Sequence, residues 1–304
     1  MSTIFPNHCA WRLMAAFLLL TVWSCGGGGS EDTAGKTAPP AEEQLTVADL
    51  DGYRRFLNSR TPADSMAVVD AATVFRTAFA TASPAICDSA YVDFLEFHRG
   101  IEDLYNFAID ENRAAYETLL DPDSSAHLPG AVAFRNRLEL VGLRFVSEEG
   151  FGVAEIDPAF HRRHFYDRVS PTMRTYMDQW AIEQDSPVGT DEHLDLPLAE
   201  VAERAIFWER FVAGNPEFIL ASEALINTSF YQYIFMMGTS QTPAFDNTTQ
   251  ILQPRFRQAF QALLRDHADT QLAEIVSRYY QILQGQNYRF TDKVEEFVNL
   301  YSMY

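Results

Sequence analysis

Two histidines and an aspartate lie close together in the sequence, at Asp157, His161 and His164. If this segment is helical, steps of four and three residues place the three side chains on one face. Two imidazoles and a carboxylate can bind Zn²⁺ or Fe²⁺ and leave a coordination position for water or substrate. Asp157 is equally well placed to cap the helix, which would occupy its carboxylate. The segment is therefore either a metal site or a partly exposed helix whose histidines pair with local acids.

A second set of titratable residues falls on or beside the apolar faces of predicted helices: His98, Glu102, Glu209 and Glu223. Burying a charge is unfavourable unless the group is paired, hydrogen-bonded or protonated. These residues are candidates for catalytic groups with a perturbed pKa. They could equally form a structural network that His98 and buried arginines or tyrosines complete, and we favour this structural interpretation.

Familiar catalytic motifs do not occur in the sequence. It contains no Gly-x-Ser-x-Gly nucleophile elbow, no His-Glu-x-x-His pair, no glycine-rich phosphate loop and no Cys-x-x-Cys pair. The sequence therefore favours a protein that is not an enzyme, with metal-dependent chemistry at the histidine segment as the alternative.

The elements that must position these residues are predicted to be helical almost throughout. Alternating residues on both sides of a turn predict one β-hairpin near 143–156. The fold class is thus all-α, a compact multi-helix domain with one small hairpin. The apolar segment 217–237 carries several polar residues and is predicted to be a core helix rather than a membrane span. Four other helices are predicted by their start signals, at Thr61–Pro62, Asp157–Pro158, Ser170–Pro171 and Leu196–Pro197. Five more are predicted to cover 88–120, 130–141, 254–267, 270–283 and 292–301.

The charge composition limits the possible partners. The chain has 42 acidic against 23 basic residues and a formal net charge of -19, and Lys36 and Lys293 are its two lysines. A polyanion would be repelled by such a surface, and no block of basic residues interrupts it. Nucleic acid is therefore excluded as an expected partner.

The N-terminal residues form a pattern of their own. Arg12 precedes an apolar run, 13–24, which ends at Cys25 and is followed by Gly26. The run is too short for a membrane-spanning helix, which needs about 20 apolar residues. Its last residues, Val-Trp-Ser-Cys, resemble a lipobox, and the whole segment resembles the signal of a bacterial lipoprotein.

This resemblance implies a division of the chain and a location. Residues 1–24 would be a signal peptide, 25–44 a lipidated Cys25 and a flexible tether, and 45–304 a single helical domain. The lipid would hold the protein in the bacterial cell envelope, and Gly26 after the cysteine favours the outer membrane, with the domain facing the periplasm or the surface. With Cys9 removed and Cys25 lipidated, Cys87 could form no internal disulfide.

These observations lead to an expected function with two alternatives. We expect an envelope-anchored lipoprotein whose helical domain binds a small ligand or another envelope protein without catalysis. One alternative is a metal-dependent hydrolase or oxidase that uses His161, His164 and an acid such as Asp157, Glu209 or Glu223. The other is a structural subunit of an envelope assembly. The expected cofactor is accordingly none, or Zn²⁺ or Fe²⁺ under the first alternative.

Overall fold

Helices make up most of the chain that the structure describes, and an antiparallel hairpin interrupts them. The structure is a computed structural model, and it describes residues 49–61, 64, 66–113, 116, 129–148, 151–189 and 192–301. The helices in these ranges are α1 Leu50–Ser59, α2 Ala67–Ala78, α3 Pro84–Glu111, α4 Pro129–Leu140, α5 Pro158–Phe165, α6 Pro171–Asp185, α7 Leu198–Gly214, α8 Ala221–Met237, α9 Pro254–Asp266, α10 Gln271–Gly285 and α11 Asp292–Asn299, with strands β1 Leu143–Glu148 and β2 Phe151–Ile156 between α4 and α5.

The predicted fold class is confirmed: the described chain is mostly helical with one two-stranded hairpin. The hairpin forms where the alternating pattern predicts it, with Leu143 opposite Ile156 and Glu148 opposite Phe151. The predicted core helix near 217–237 is also present as α8. No helix in the described ranges is long and apolar enough to cross a membrane.

Several helices begin at a proline that follows a capping residue. Pro158 follows Asp157, and Pro171 follows Ser170. The Ser170 side chain accepts a hydrogen bond from the backbone N–H of Met173 at 3.1 Å. Proline has no N–H to leave unsatisfied at this position, and the cap accepts one that would otherwise lack a partner. These short sequence signals therefore fix where α5 and α6 start.

Other helix boundaries differ from the prediction. Helix α1 was not predicted; its cap is Asp49, which accepts a hydrogen bond from the N–H of Gly52 at 2.7 Å. Helix α2 begins at Ala67 rather than at the Thr61–Pro62 pair, and α3 begins at Pro84 and ends at Glu111 rather than covering 88–120. The two differences at α3 arise because Pro84 occupies its first turn and Asn112 caps its end.

Helix α8 also starts later than predicted, at Ala221 rather than at residue 217. The N–H of Phe218 bonds the carbonyl of Asn215, and the N–H of Ala221 bonds the carbonyl of Phe218. Hydrogen bonds between residues three apart in the sequence close tight turns, whereas an α-helix uses bonds between residues four apart. The segment after Asn215–Pro216 is therefore a pair of turns that leads into α8.

The core is assembled around helices α7 and α8, which pack against each other over most of their lengths. Trp208 of α7 is completely buried, as are Phe94 of α3 and Phe165 of α5. Strand β2 lies against α3, and α5 packs against both α2 and α6. This arrangement brings α3, α5, α6 and α8 to the residues considered next, within one compact unit, Val47–Tyr304.

The predictions for the N-terminal part lie outside the described residues. They comprise the signal peptide 1–24, the lipidated Cys25 and the tether 25–44. The predicted start of the helical domain at residue 45 also falls there, so these divisions stay predictions.

Candidate functional site

His98 and His161, which are 63 residues apart in the sequence, meet in the interior of the protein. His98 lies on α3 and His161 on α5, and both side chains are fully buried. Their rings are nearly parallel, with centroids 5.1 Å apart and an interplanar angle of 11°. Phe94 and Trp180 contact the ring of His161 at centroid distances of 5.6 and 5.3 Å. Two polar side chains are thus enclosed by aromatic rings.

A directed chain of hydrogen bonds runs through the two histidines. Nε2 of His98 lies 2.7 Å from the carbonyl oxygen of Val141, Nδ1 of His98 lies 2.9 Å from Nε2 of His161, and Nδ1 of His161 lies 3.1 Å from the Tyr91 hydroxyl. A carbonyl only accepts, so Nε2 of His98 carries the proton and its Nδ1 accepts from His161. The hydroxyl of Tyr91 must then donate to His161. We call Tyr91, His161, His98 and the Val141 carbonyl the buried relay.

The position of the Val141 carbonyl depends on a glycine. Gly142 has a φ of +67°, and a Cβ atom there would lie 2.5 Å from the ring of Phe160. Only glycine fits both the left-handed backbone and the close approach. The turn that aims the carbonyl at His98 therefore requires Gly142.

Burial keeps both histidines neutral. It lowers the pKa of His98 to about 4, against a smaller opposing effect of the hydrogen bond to Val141. Burial also lowers the pKa of His161 well below its usual value, and repulsion from Arg99, and from His98 when that ring is protonated, lowers it further. For Tyr91, burial raises the pKa. At neutral pH every member of the relay is uncharged, with each donor matched to an acceptor.

A salt bridge lies beside the relay. NH1 and NH2 of Arg99 each lie 2.9 Å from one carboxylate oxygen of Glu223, and the Tyr176 hydroxyl donates to Oε2 of Glu223 at 2.8 Å. The Glu223 side chain is 25% exposed and that of Arg99 46%. Arg99 follows His98 on α3, and its charge and that of Glu223 both act on Tyr91. This group joins α3, α6 and α8.

The neighbours of Glu223 hold it as a carboxylate. Burial alone would raise it, but the hydrogen bonds and charge of Arg99 and the hydrogen bond from Tyr176 outweigh burial and lower it. The same pairing raises the pKa of Arg99, although burial opposes it. A carboxylate with three hydrogen bonds to its two oxygens acts as a fixed charge. These contacts are those of a structural ion pair, and a catalytic role of Glu223 stays a hypothesis of the sequence alone.

The other predicted acids support the backbone at different places. Glu209 accepts hydrogen bonds from the N–H groups of Gln271 at 3.0 Å and Leu272 at 2.8 Å, at the start of α10. A carboxylate at this end of a helix satisfies free N–H groups and interacts favourably with the helix dipole. Glu102 accepts from the N–H of Ile156 in β2 at 3.1 Å. Neither residue joins the buried relay.

The three residues of the predicted metal set point to different partners. Asp157 accepts a hydrogen bond from the N–H of Ala159 at 2.9 Å and so caps α5. His161 is in the relay, and the ring of His164 packs on Phe160 with centroids 4.4 Å apart. In the described ranges, no group of three or more histidine, cysteine or acidic residues is arranged to hold a metal ion. Asp157 is thus a helix cap, and metal binding stays a hypothesis of the sequence alone.

Two grooves flank α6 on the surface. The relay residues line neither of them. The first has a volume of about 500 Å³ and lies between α5 and α6; it is lined by Arg162, Asp178, Ala181, Ile182, Asp185 and Ser186. The second, of about 410 Å³, lies between α6 and α7 and is lined by Thr175, Glu203, Ile206, Phe207, Arg210, Phe211 and Asn215.

Four groups that complete the buried relay and the adjacent salt bridge were not predicted from the sequence. Tyr91 precedes His98 by seven residues, which is two helical turns on the same face, so this partner could have been found from the spacing. Arg99, Tyr176 and the Val141 carbonyl had no such signal, because each meets its partner through packing between elements that are distant in the sequence.

Comparisons with known proteins add no relative. No protein-family model matches the chain. No curated protein and no solved structure is significantly similar to it.

Proposed function

We propose that this protein is a lipid-anchored component of a bacterial cell envelope and that its helical domain binds a ligand or another envelope protein. The location rests on the apolar run 13–24 and Cys25, which resemble a lipoprotein signal. The binding role rests on how the candidate catalytic groups are used. A lipid anchor suits a binding domain, because it keeps the domain near partners at one membrane.

The observation that carries the binding role is that most of the candidate acids and bases are engaged in internal hydrogen bonds, with Nδ1 of His164 as the exception in the described chain. Both ring nitrogens of His98 and of His161 have partners, as do both carboxylate oxygens of Glu209 and of Glu223. A general acid or base must exchange a proton with the substrate. Each of these groups would first have to break a bond that holds two elements together. This use favours a role in stability over a role in chemistry.

Lipidation tests the anchoring half of the proposal. The full chain is expressed in a bacterial host that is fed an alkyne-labelled fatty acid, and the label on the protein is measured. We expect Cys25→Ser to abolish the label and to release the protein from the membrane fraction. The matched control is Cys9→Ser, which removes a cysteine upstream of the proposed cleavage point and should leave the label unchanged. A label that persists in Cys25→Ser would refute the anchor.

Stability measurements test the premise of the binding half, namely that the buried acids hold the fold together. Substitution of a catalytic group is often neutral or stabilising, whereas substitution of a structural group destabilises. We expect Glu209→Gln to lower the free energy of unfolding by about 1–2 kcal/mol, since a cap that accepts two N–H bonds is weakened. The control is Glu203→Gln on the same helix, where the side chain is 60% exposed. Equal stability of the two variants would argue that Glu209 is reserved for chemistry.

A further inference from the structure

A cluster of polar and aromatic side chains lies at the surface between α9 and α10, far in the sequence from the relay. It consists of Arg257 and Gln261 of α9, Tyr280 of α10, and Tyr288 in the loop that follows α10. Within the cluster, the side chain of Tyr280 is buried, whereas those of Arg257 and Gln261 are exposed. We call these four residues the tyrosine–arginine cluster.

The hydrogen bonds within the cluster leave donor groups of Arg257 and Tyr288 unused. Nε of Arg257 donates to the Tyr280 hydroxyl at 3.2 Å, and Nε2 of Gln261 donates to the same oxygen at 2.9 Å. A hydroxyl has two acceptor positions, so both are filled, and its own proton is directed to the Tyr288 hydroxyl, 3.5 Å away. The O–H of Tyr288 is then left to donate outward, together with the terminal N–H groups of Arg257 that do not bond Tyr288.

Arg257 has no carboxylate partner in the described chain, whereas two other arginines of this region have one. Arg265 pairs with Asp266, and Arg278 pairs with Glu274. In the described chain the interactions of Arg257 are with the two tyrosines: besides its bond to Tyr280, its guanidinium lies over the ring of Tyr288, 4.1 Å from the centroid. In a protein with a formal charge of -19, an oriented guanidinium without a carboxylate is available to an external anion.

The backbone is strained where it presents Tyr288. Asn287 and Tyr288 have φ angles of 52° and 59°, in the left-handed region. Asparagine tolerates this conformation, but a bulky aromatic residue rarely adopts it. Two hydrogen bonds hold it: the N–H of Tyr288 donates to the Leu283 carbonyl at 2.7 Å, and its carbonyl accepts from Leu252 at 2.8 Å. Strain that the surrounding structure enforces is often found at ligand sites.

The effect on Tyr280 agrees with a concentration of donors. Burial acts to raise its pKa, but the hydrogen bond shared with Tyr288 and those received from Arg257 and Gln261 outweigh burial and lower it. The local environment therefore favours negative charge on an oxygen at this point, in spite of the acidic composition of the whole chain.

We propose that Arg257 and Tyr288, positioned by Tyr280 and Gln261, form a binding site for a small ligand that carries a carboxylate or phosphoryl group. The two terminal nitrogens of Arg257 match two oxygens of such a group, and the Tyr288 hydroxyl supplies a further donor. The site deepens the binding role proposed above and rests on that role, but it does not depend on lipidation of Cys25.

The test is a calorimetric titration of the full chain in non-ionic detergent with inorganic phosphate and, separately, with acetate. Ionic strength is held constant with sodium chloride. We expect saturable binding that Arg257→Gln weakens about tenfold or more, because a charge-assisted hydrogen bond is lost. Tyr288→Phe keeps the ring beneath the guanidinium and removes only the hydroxyl, so it should weaken binding about two- to tenfold.

The matched control is Arg255→Gln, which removes the same charge two residues earlier on α9 and leaves the cluster intact. If phosphate binds and acetate does not, the site is assigned to a phosphoryl group. If the two probes bind comparably, the site accepts either a carboxylate or a phosphoryl group. Equal weakening by Arg255→Gln and Arg257→Gln, or no saturable binding of either probe, would overturn the site. Lipidation at Cys25 could still hold in that case, so the two failures are distinguishable. Thermal melts confirm folding, and Tyr288→Phe keeps the test valid if Arg257→Gln unfolds.

Discussion

The buried relay and the tyrosine–arginine cluster use similar residues with opposite consequences. In the relay, the Tyr91 hydroxyl donates to a neutral histidine, and burial raises its pKa. In the cluster, the Tyr280 hydroxyl accepts from Arg257 and Gln261, and its pKa is lowered. The difference is that the relay ends at a carbonyl inside the protein, whereas the cluster ends in donors at the surface. A closed network stabilises the fold, and an open one can bind a ligand.

The largest effect that the comparison predicts comes from opening the relay. His161→Ala removes a buried ring from among aromatic side chains and leaves Tyr91 and Nδ1 of His98 without a partner. We expect the free energy of unfolding to fall by about 3–5 kcal/mol, from a cavity and two unsatisfied polar groups. Chemical denaturation of the full chain measures this loss.

The control for His161→Ala is His164→Ala on the same helix. The side chain of His164 is only partly buried, so its removal should cost less than about 1.5 kcal/mol. Equal losses from the two variants would mean that the relay contributes nothing beyond general packing of α5, and the comparison between closed and open networks would fail.

The second prediction concerns acid. The pKa of His98 falls from 6.5 in the unfolded chain to about 4 in the folded protein, so between these values the unfolded state binds more protons. Stability is therefore fully present above pH 6.5 and falls as the pH is lowered towards 4, by roughly 3 kcal/mol in total for this group. His161 adds to the loss in the same direction, because burial also lowers its pKa.

Denaturation curves recorded from pH 7.5 to pH 4 check this dependence. We expect His98→Asn to flatten the slope between pH 6.5 and pH 4, since asparagine does not titrate there. Tyr288→Phe, in the open cluster, should leave the slope as it is in the original chain. A slope that survives His98→Asn unchanged would assign the acid sensitivity to other groups.

An intermediate effect is expected at the salt bridge beside the relay. Glu223→Gln removes the charge that pairs with Arg99 and that accepts a hydrogen bond from Tyr176, and the Arg99 side chain is 46% exposed, so water compensates in part. We expect a loss of about 1–2 kcal/mol, less than for a fully buried pair. Glu274→Gln, whose pair with Arg278 is 64% exposed on both sides, should lose under about 0.5 kcal/mol. Similar losses for the two would place Glu223 among ordinary surface pairs.

What the sequence predicts correctly are features encoded by neighbouring residues. The caps at Asp157 and Ser170 with their prolines locate α5 and α6, and alternation locates the hairpin. The start of α8 was misplaced because Asn215–Pro216 is a sequence signal for a helix start as well as for a turn. Periodicity also showed that His98 and Glu223 lie on apolar faces and need partners.

The partners themselves depend on contacts that periodicity does not contain. Glu223 meets Arg99 across 124 residues of sequence, and His98 meets the carbonyl of Val141 across 43. The tyrosine–arginine cluster was missed for a different reason: it depends on the left-handed backbone of Asn287 and Tyr288, and this chain has no glycine there to signal it.

The smallest effect is spectroscopic and compares the two tyrosines directly. Ionised tyrosine absorbs near 295 nm, so a pH titration of the full chain reports each phenol that loses its proton. We expect the phenol of Tyr280 to ionise at a lower pH than an ordinary tyrosine, because Arg257 and Gln261 donate to its oxygen and lower its pKa. Tyr280→Phe should remove this step, and Arg257→Gln should move it to higher pH. Tyr91→Phe should leave it intact, since burial raises the pKa of Tyr91. If Tyr91→Phe removed the step instead, the open network would be the relay, and the roles assigned to the two regions would have to be exchanged.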